Sequence, residues 1–135
     1  MTTESILIDQ FIASPPAVVW EAITTPEWLA RWWVPGDIAP TVGHSFALEM
    51  PGWGDVPCTV LEVEPNERIV FTFADWTLTW QVRPEGTGTR LFLEHAGFDL
   101  DNPQHKFAFE KMPEGWRDDI LPRLASMLES ADSPS

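Results

Sequence analysis

The chain has little of what staples, spans or grips polyanions. Cys58 is the one cysteine among 135 residues, so no disulfide can form within the chain, and such thiol usage fits a reducing cytoplasm. Cys58 lies in CTVLEVE, a strand-like run with no neighbouring cysteine, and reads as a buried structural thiol rather than a nucleophile. Basic residues are scarce: 8 Lys and Arg face 21 Asp and Glu, for a formal net charge of −13. A surface of that sign repels phosphate backbones and anionic headgroups, which argues against nucleic acid and membranes as partners. Solubility accounts for it, with a basic partner protein as the other reading. Nowhere do 18 apolar residues run together, and MTTESILIDQF lacks the basic-then-apolar pattern of a signal peptide, so a cytoplasmic location is expected.

Catalytic signatures are equally sparse. His44, His95 and His105 are widely spaced, with no His-x-x-x-His or paired-cysteine pattern, so neither a metal nor a cofactor is expected. PGWGD at 51–55 is a turn and not a phosphate loop, and no Gly-x-Ser-x-Gly elbow occurs. An enzymatic role would have to rest on acid–base groups.

What the chain does have is tryptophan, 8 of them, three within PEWLARWWVPGD at 26–37. The pattern around them predicts one domain over 1–135, with 131–135 as a frayed tail. SILIDQFIA reads as a first strand. Ser14-Pro15 and Thr25-Pro26 each read as an N-cap followed by proline at the first helical position, opening two short helices, the second stopped by Pro35-Gly36. HSFALEM, VPCTVLEVE, RIVFTFA, WTLTWQVR and TRLFLEHA are five runs of period two, separated by turn signals such as Pro65-Asn66-Glu67 and Asp75. Trp76, Leu78, Trp80 and Val82 share one face, as do Ile69, Phe71 and Phe73, and Leu91, Leu93 and His95. Those phases predict a curved antiparallel sheet with one greasy side.

Asp101-Asn102-Pro103 is a capping signal, and from there the chain is helical again. A stripe at Trp116, Ile120, Leu124 and Leu128 recurs every four residues, widened by Leu121 and Met127. Pro113 and Gly115 predict a short helix over roughly 103–111 and a break, and Pro122 either a kink in the main helix or a regular part confined to its last few turns. The order is β-αα-βββββ-α. One helix cannot evenly fill a strongly twisted sheet, so a cavity is expected between them.

Several motifs in this order resemble a known fold family: Pro16-x-x-Val19-Trp20-x-Ala22-Ile23-Thr24, Trp32-Trp33, Glu64-Pro65-x-Glu67-Arg68-Ile69, His95-x-Gly97-Phe98 and Gly115-Trp116. Together they resemble the START-like, or SRPBCC, helix-grip superfamily over about residues 6–130. The branch they resemble most is named for the activator of heat-shock protein 90 ATPase. The resemblance implies an α+β helix-grip fold, a curved antiparallel sheet wrapped around a long C-terminal helix, and a habit of holding apolar ligands between the two. It also allows a homodimer, with an exposed tryptophan near Trp53 at the contact.

The expected function is therefore binding of a small apolar or aromatic molecule. The cavity wall is drawn from Trp32, Trp33, Trp53, Phe71, Phe73, Trp76, Trp80, His95, Phe107 and Trp116, since this aromatic set exceeds what a core of this length needs. Trp28 and Trp32 share a helical face, with Trp33 turned away by roughly 100°; one of the paired tryptophans is placed at the cavity mouth. Two alternatives stand beside this. One is a cyclase or aromatase in which His95 moves protons, against a core histidine bonded to backbone. The other is a co-chaperone-like interaction module, weakened by a chain that starts directly at the helix-grip unit.

Overall fold

A computed structural model describes residues 3–52 and 54–131. Trp53, assigned above to the cavity wall, and the expected tail beyond Ala131 lie outside them. Strand β1 (Thr3–Ile12) is followed by helices α1 (Pro16–Thr24) and α2 (Pro26–Trp32). Five strands come next: β2 (Ser45–Met50), β3 (Gly54–Glu64), β4 (Arg68–Phe73), β5 (Trp76–Glu85) and β6 (Gly88–Asp99). The helical tail is α3 (Pro103–Gly115), one π turn (Trp116–Ile120) and α4 (Leu121–Ala131). The strands form one antiparallel sheet in the order β1-β6-β5-β4-β3-β2. This is the expected α+β helix-grip architecture.

The alternation sorts the sheet as the sequence implies. Leu78, Trp80 and Val82 of β5 are buried, with Ile69, Phe71 and Phe73 of β4 and Leu91, Leu93 and His95 of β6. The hairpin turns also fall where expected. Asn66 takes φ 64° between β3 and β4, and Ala74 takes φ 56° beside Asp75 between β4 and β5. A left-handed backbone suits asparagine and is unusual for alanine.

Helix starts differ in detail. Pro15, not Ser14, occupies the N-cap of α1, and its carbonyl accepts from the Val18 and Val19 N–H groups. Proline at 16 pushes residue 15 out of the helical region, which moves the start one residue along. Thr25 caps α2 in position only; its hydroxyl donates back to the Glu21 carbonyl. Asn102 caps α3 as predicted, its side chain accepting from the Gln104 and His105 N–H groups.

The break expected near residues 112–115 is absent, and α3 runs through Pro113 to Gly115. The irregularity sits instead at the π turn, where the Leu121 N–H bonds to the Trp116 carbonyl. This wide turn ends just before Pro122, whose nitrogen has no hydrogen for the preceding turn. One extra residue per turn also resets the apolar stripe. Trp116, Leu121, Leu124, Ala125 and Leu128 are buried, while Ile120 is displaced to a half-buried position.

A second reset lies in β6. Glu4 pairs with Phe98 and Ser5 with Ala96, so Gly97 is an extra residue, at φ 98°. The bulge turns both His95 and Phe98 inward, although three positions separate them. Gly97→Ala should lower the free energy of unfolding by about 1–2 kcal/mol. The cost comes from backbone strain, since the nearest atoms to an added Cβ stand at an ordinary 3.6 Å. Urea unfolding of the variant checks this; an unchanged midpoint would mean that the bulge is not strained by a side chain.

Candidate functional site

Five elements deliver aromatic rings to one cluster, the π turn with Trp116 among them. β4 supplies Phe73, β5 supplies Trp76 and Trp80, and β6 supplies His95 and Phe98. The end of α2 supplies the paired tryptophans. Trp32 is wholly buried and donates its indole N–H to the Ala22 carbonyl of α1 at 2.8 Å. Trp33 does not turn away from it. The helix ends at Trp32, and Trp33 has φ −132° and ψ −98°, which stacks its ring on Trp32 with centroids 5.9 Å apart. Trp33 thereby reaches Phe73 at 5.7 Å and Trp116 at 5.0 Å. Trp80 closes the group, edge-on to Trp32 and Trp116, both at 5.7 Å. Trp28 remains half-buried, with the Arg31 guanidinium 5.1 Å from its ring centre.

His95 lies at the centre of the second half of this cluster, without solvent exposure. Phe98 is 4.6 Å from it, Trp76 5.3 Å and Phe73 5.7 Å, centre to centre. Its partner is not backbone: the Trp116 indole N–H donates to Nδ1 at 3.3 Å. An accepting Nδ1 places the neutral ring's proton on Nε2. Burial pushes the His95 pKa down to about 3, because an imidazolium here would give up its hydration among apolar rings. A base that weak is poorly suited to proton abstraction near neutrality, but its Nε2–H remains a good donor. Among the described residues Nε2 has no partner, and neither has the buried indole nitrogen of Trp76.

Beside these rings is an apolar cleft of about 150 Å³. Phe73 and Trp76 form one wall, Met50 and Val56 a second, and His105 and Met112 of α3 the roof. It therefore lies between the sheet and the C-terminal helical tail. His105 fixes that roof. Its Nδ1 accepts from the Asp99 N–H at 3.1 Å, its Nε2 stands 3.5 Å from an Asp75 carboxylate oxygen, and its ring lies 5.2 Å from that of Trp76. Larger hollows exist elsewhere. One of about 270 Å³ runs over the outer side of the sheet, where Leu7, Ile8, Phe92 and Leu93 alternate with Asp9, Thr79, Gln81 and Glu94; it holds none of the clustered rings and sets two carboxylates beside any apolar guest.

The structure thus brings together Trp32, Trp33, Phe73, Trp76, Trp80, His95 and Trp116. Two of the expected wall residues stand apart. Phe107 is 62% exposed; with Asn102 setting the helical phase, Ala108 and Met112 turn toward the sheet and Phe107 turns out. Phe71 packs on Phe46 at 5.4 Å and away from the cleft. Phe98, His105 and Met112 were missed. Phe98 was legible in principle, because Gly97 beside a strand histidine is a bulge signal.

Among the described residues, no group of three or more His, Cys, Asp or Glu is placed to hold a metal ion. His44 contacts the Asp37 carbonyl at 2.6 Å and stacks on Phe46. Cys58 is buried, and desolvation raises its thiol to about 12. The thiolate is the reactive form, so Ellman's reagent at pH 8 should leave the native protein unlabelled and modify it stoichiometrically in denaturant. Rapid labelling of the native state would show Cys58 to be accessible.

Comparison with known proteins places this geometry. The family model described as Activator of Hsp90 ATPase homolog 1-like protein matches residues 13–129. The crystal structure of a Mesorhizobium loti protein is 29% identical, with 96% of this chain and 100% of that one covered and a TM-score of 0.85. A Bacillus halodurans protein solved in solution is 30% identical over 95% of this chain and 99% of that one, with a TM-score of 0.83. The solution structure of an Aha1 dimer from Colwellia psychrerythraea shares the fold at 18% identity, covering 96% and 99% of the two chains with a TM-score of 0.78. No curated protein matches the sequence.

Proposed function

The chain belongs to the activator of Hsp90 ATPase homolog 1-like family, and from that premise we propose that it binds a small apolar or aromatic molecule between its sheet and its C-terminal helical tail. The observation that carries the proposal is the cleft walled by Phe73 and Trp76 and roofed by His105 and Met112. Its volume, about 150 Å³, is of the size that admits a benzene-like ring, and its walls are the apolar and aromatic surfaces that small-molecule sites use. The residues proposed to touch the ligand are Phe73, Trp76, His105 and Met112. Trp33, Trp80 and Trp116 form the layer that holds this wall in place.

The cyclase-like alternative has less support, because the His95 ring carries its free lone pair toward the Trp116 indole and is held neutral by burial. Binding is tested by titrating the ¹⁵N-labelled protein with toluene and following the indole N–H signals. The signal of Trp76 should move saturably, while those of Trp20 and Trp28, on the first two helices, should stay in place. No movement up to the solubility limit of toluene, and of larger neutral aromatics such as naphthalene, would overturn the proposal.

A further inference from the structure

Two adjacent rings present buried donors that nothing among the described residues accepts. The His95 ring must carry its proton on Nε2, since Nδ1 accepts from Trp116, and that Nε2 is unpartnered. The Trp76 indole nitrogen is donor only, and it too is buried and unpartnered. The ring centres are 5.3 Å apart at an interplanar angle of 74°. A donor cannot satisfy a donor, so these neighbours cannot serve each other. The surrounding rings of Phe73 and Phe98 offer only their π faces, which are weak acceptors. Leaving buried N–H groups without an acceptor is costly, and native proteins rarely do so without a reason. Trp76 and Phe73 line the cleft, and each packs against the His95 ring, with centres 5.3 and 5.7 Å away, so one donor belongs to the wall and the other to the layer in contact with it.

We propose that His95 and Trp76 form an oxygen-acceptor subsite, in which the Nε2–H and the indole N–H bind the carbonyl oxygen of a neutral, ring-bearing ketone held in the cleft. This rests on the cleft being the ligand site, and names the class of ligand it takes. The partner must accept, which selects a carbonyl over an amine or a hydrocarbon. It must not be an anion: among the described residues no Lys or Arg lines the cleft, Asp75 does, and the chain's formal charge of −13 adds to the repulsion; a cation is turned away by the two donors. A single ring fills about 150 Å³, so the ligand seats one ring and directs its carbonyl inward. Binding in this mode requires the half-buried Trp76 ring to tilt, so that the oxygen enters between it and His95. Ala74, at φ 56° in the turn just before it, is an unusual backbone at the same wall, as ligand clamps often show.

The test pairs acetophenone with α-methylstyrene, which has the same shape but replaces the carbonyl oxygen by a methylene, and adds benzoate as the anionic probe. Dissociation constants come from titrations of the indole ¹⁵N–H signals. Acetophenone should bind about tenfold more tightly than α-methylstyrene, as expected for two buried hydrogen bonds, and should move the Trp76 indole proton downfield. Trp76→Phe keeps the ring and removes the donor, and should cut the ratio to about threefold; His95→Gln, which can still accept from Trp116 and donate through its amide, should retain most of it. Equal binding of the ketone and the alkene would overturn the subsite and leave the cleft as an apolar site, with water serving the two donors. Binding of neither would overturn the cleft itself. Tighter binding of benzoate would overturn the preference for a neutral ligand.

Discussion

Trp32→Ala should lower the free energy of unfolding by about 3–5 kcal/mol, the usual cost of emptying a large aromatic site in a core. Trp32 has no solvent exposure, stacks on Trp33 and meets Trp80 edge-on. Its indole N–H is also the tie between α2 and α1, through the Ala22 carbonyl. Truncation therefore removes packing and leaves a buried carbonyl without its donor. Trp28→Ala is the matched control, four residues earlier on the same helix. That ring is half-buried, with Arg31 as its cationic neighbour, and its loss should cost about 1 kcal/mol, near the centre of measured single-mutant effects. Urea denaturation of both variants decides the matter. Equal costs would show that Trp32 is not the anchor of the helical pair.

Stability should fall steeply as the pH drops from about 6.5 toward 3, and His95 should be a principal cause. In the unfolded chain a histidine takes up a proton near pH 6.5; in the folded chain burial delays this to about 3. Between those values the unfolded state holds more protons, so the unfolding free energy decreases as pH decreases. Above 6.5 both states are neutral at this ring and its contribution is flat. At about 1.36 kcal/mol for each pH step across that window, the whole is worth roughly 4–5 kcal/mol. Two other effects act on the same profile. Protonating surface carboxylates relieves the repulsion of a chain with net charge −13, which opposes the loss. Asp118, held below the ordinary carboxylate range by its hydrogen bond to Arg117, contributes stability lost only as pH falls through that lower range. Both persist in His95→Gln, so the difference between wild type and this variant isolates the histidine. That difference should narrow steadily from pH 7 to pH 4. A gap independent of pH would mean that His95 titrates alike in both states.

The same histidine shows how far a local pattern carries. Its inward phase follows from Leu91 and Leu93 by simple alternation, and the structure places all three in the core. Its bond to Trp116, 21 residues away, is invisible to any periodicity. Phe98 illustrates the other limit. Counted by twos from His95 it would face outward, and the bulge at Gly97 alone brings it in. At the Trp116–Ile120 turn, likewise, one added residue exchanges Ile120 for Leu121 on the buried side. Trp33 reverses its expected direction because α2 stops one residue before it.

By itself, then, the sequence determined the element order, the greasy faces of β4 to β6, the proline-led helix pair and the Asn102 cap. Each depends on neighbours within a few positions, where alternation, ring-locked φ angles and side-chain caps act directly on the backbone. Only the tertiary structure decided which aromatic rings meet, that Phe107 faces solvent, that the helical tail yields at a π turn and not near Pro113, and that two N–H donors are left beside an apolar cleft. Those outcomes turn on single-residue shifts of phase and on contacts between distant segments. Packing selects among such shifts at a cost of a few kcal/mol, which no local pattern records.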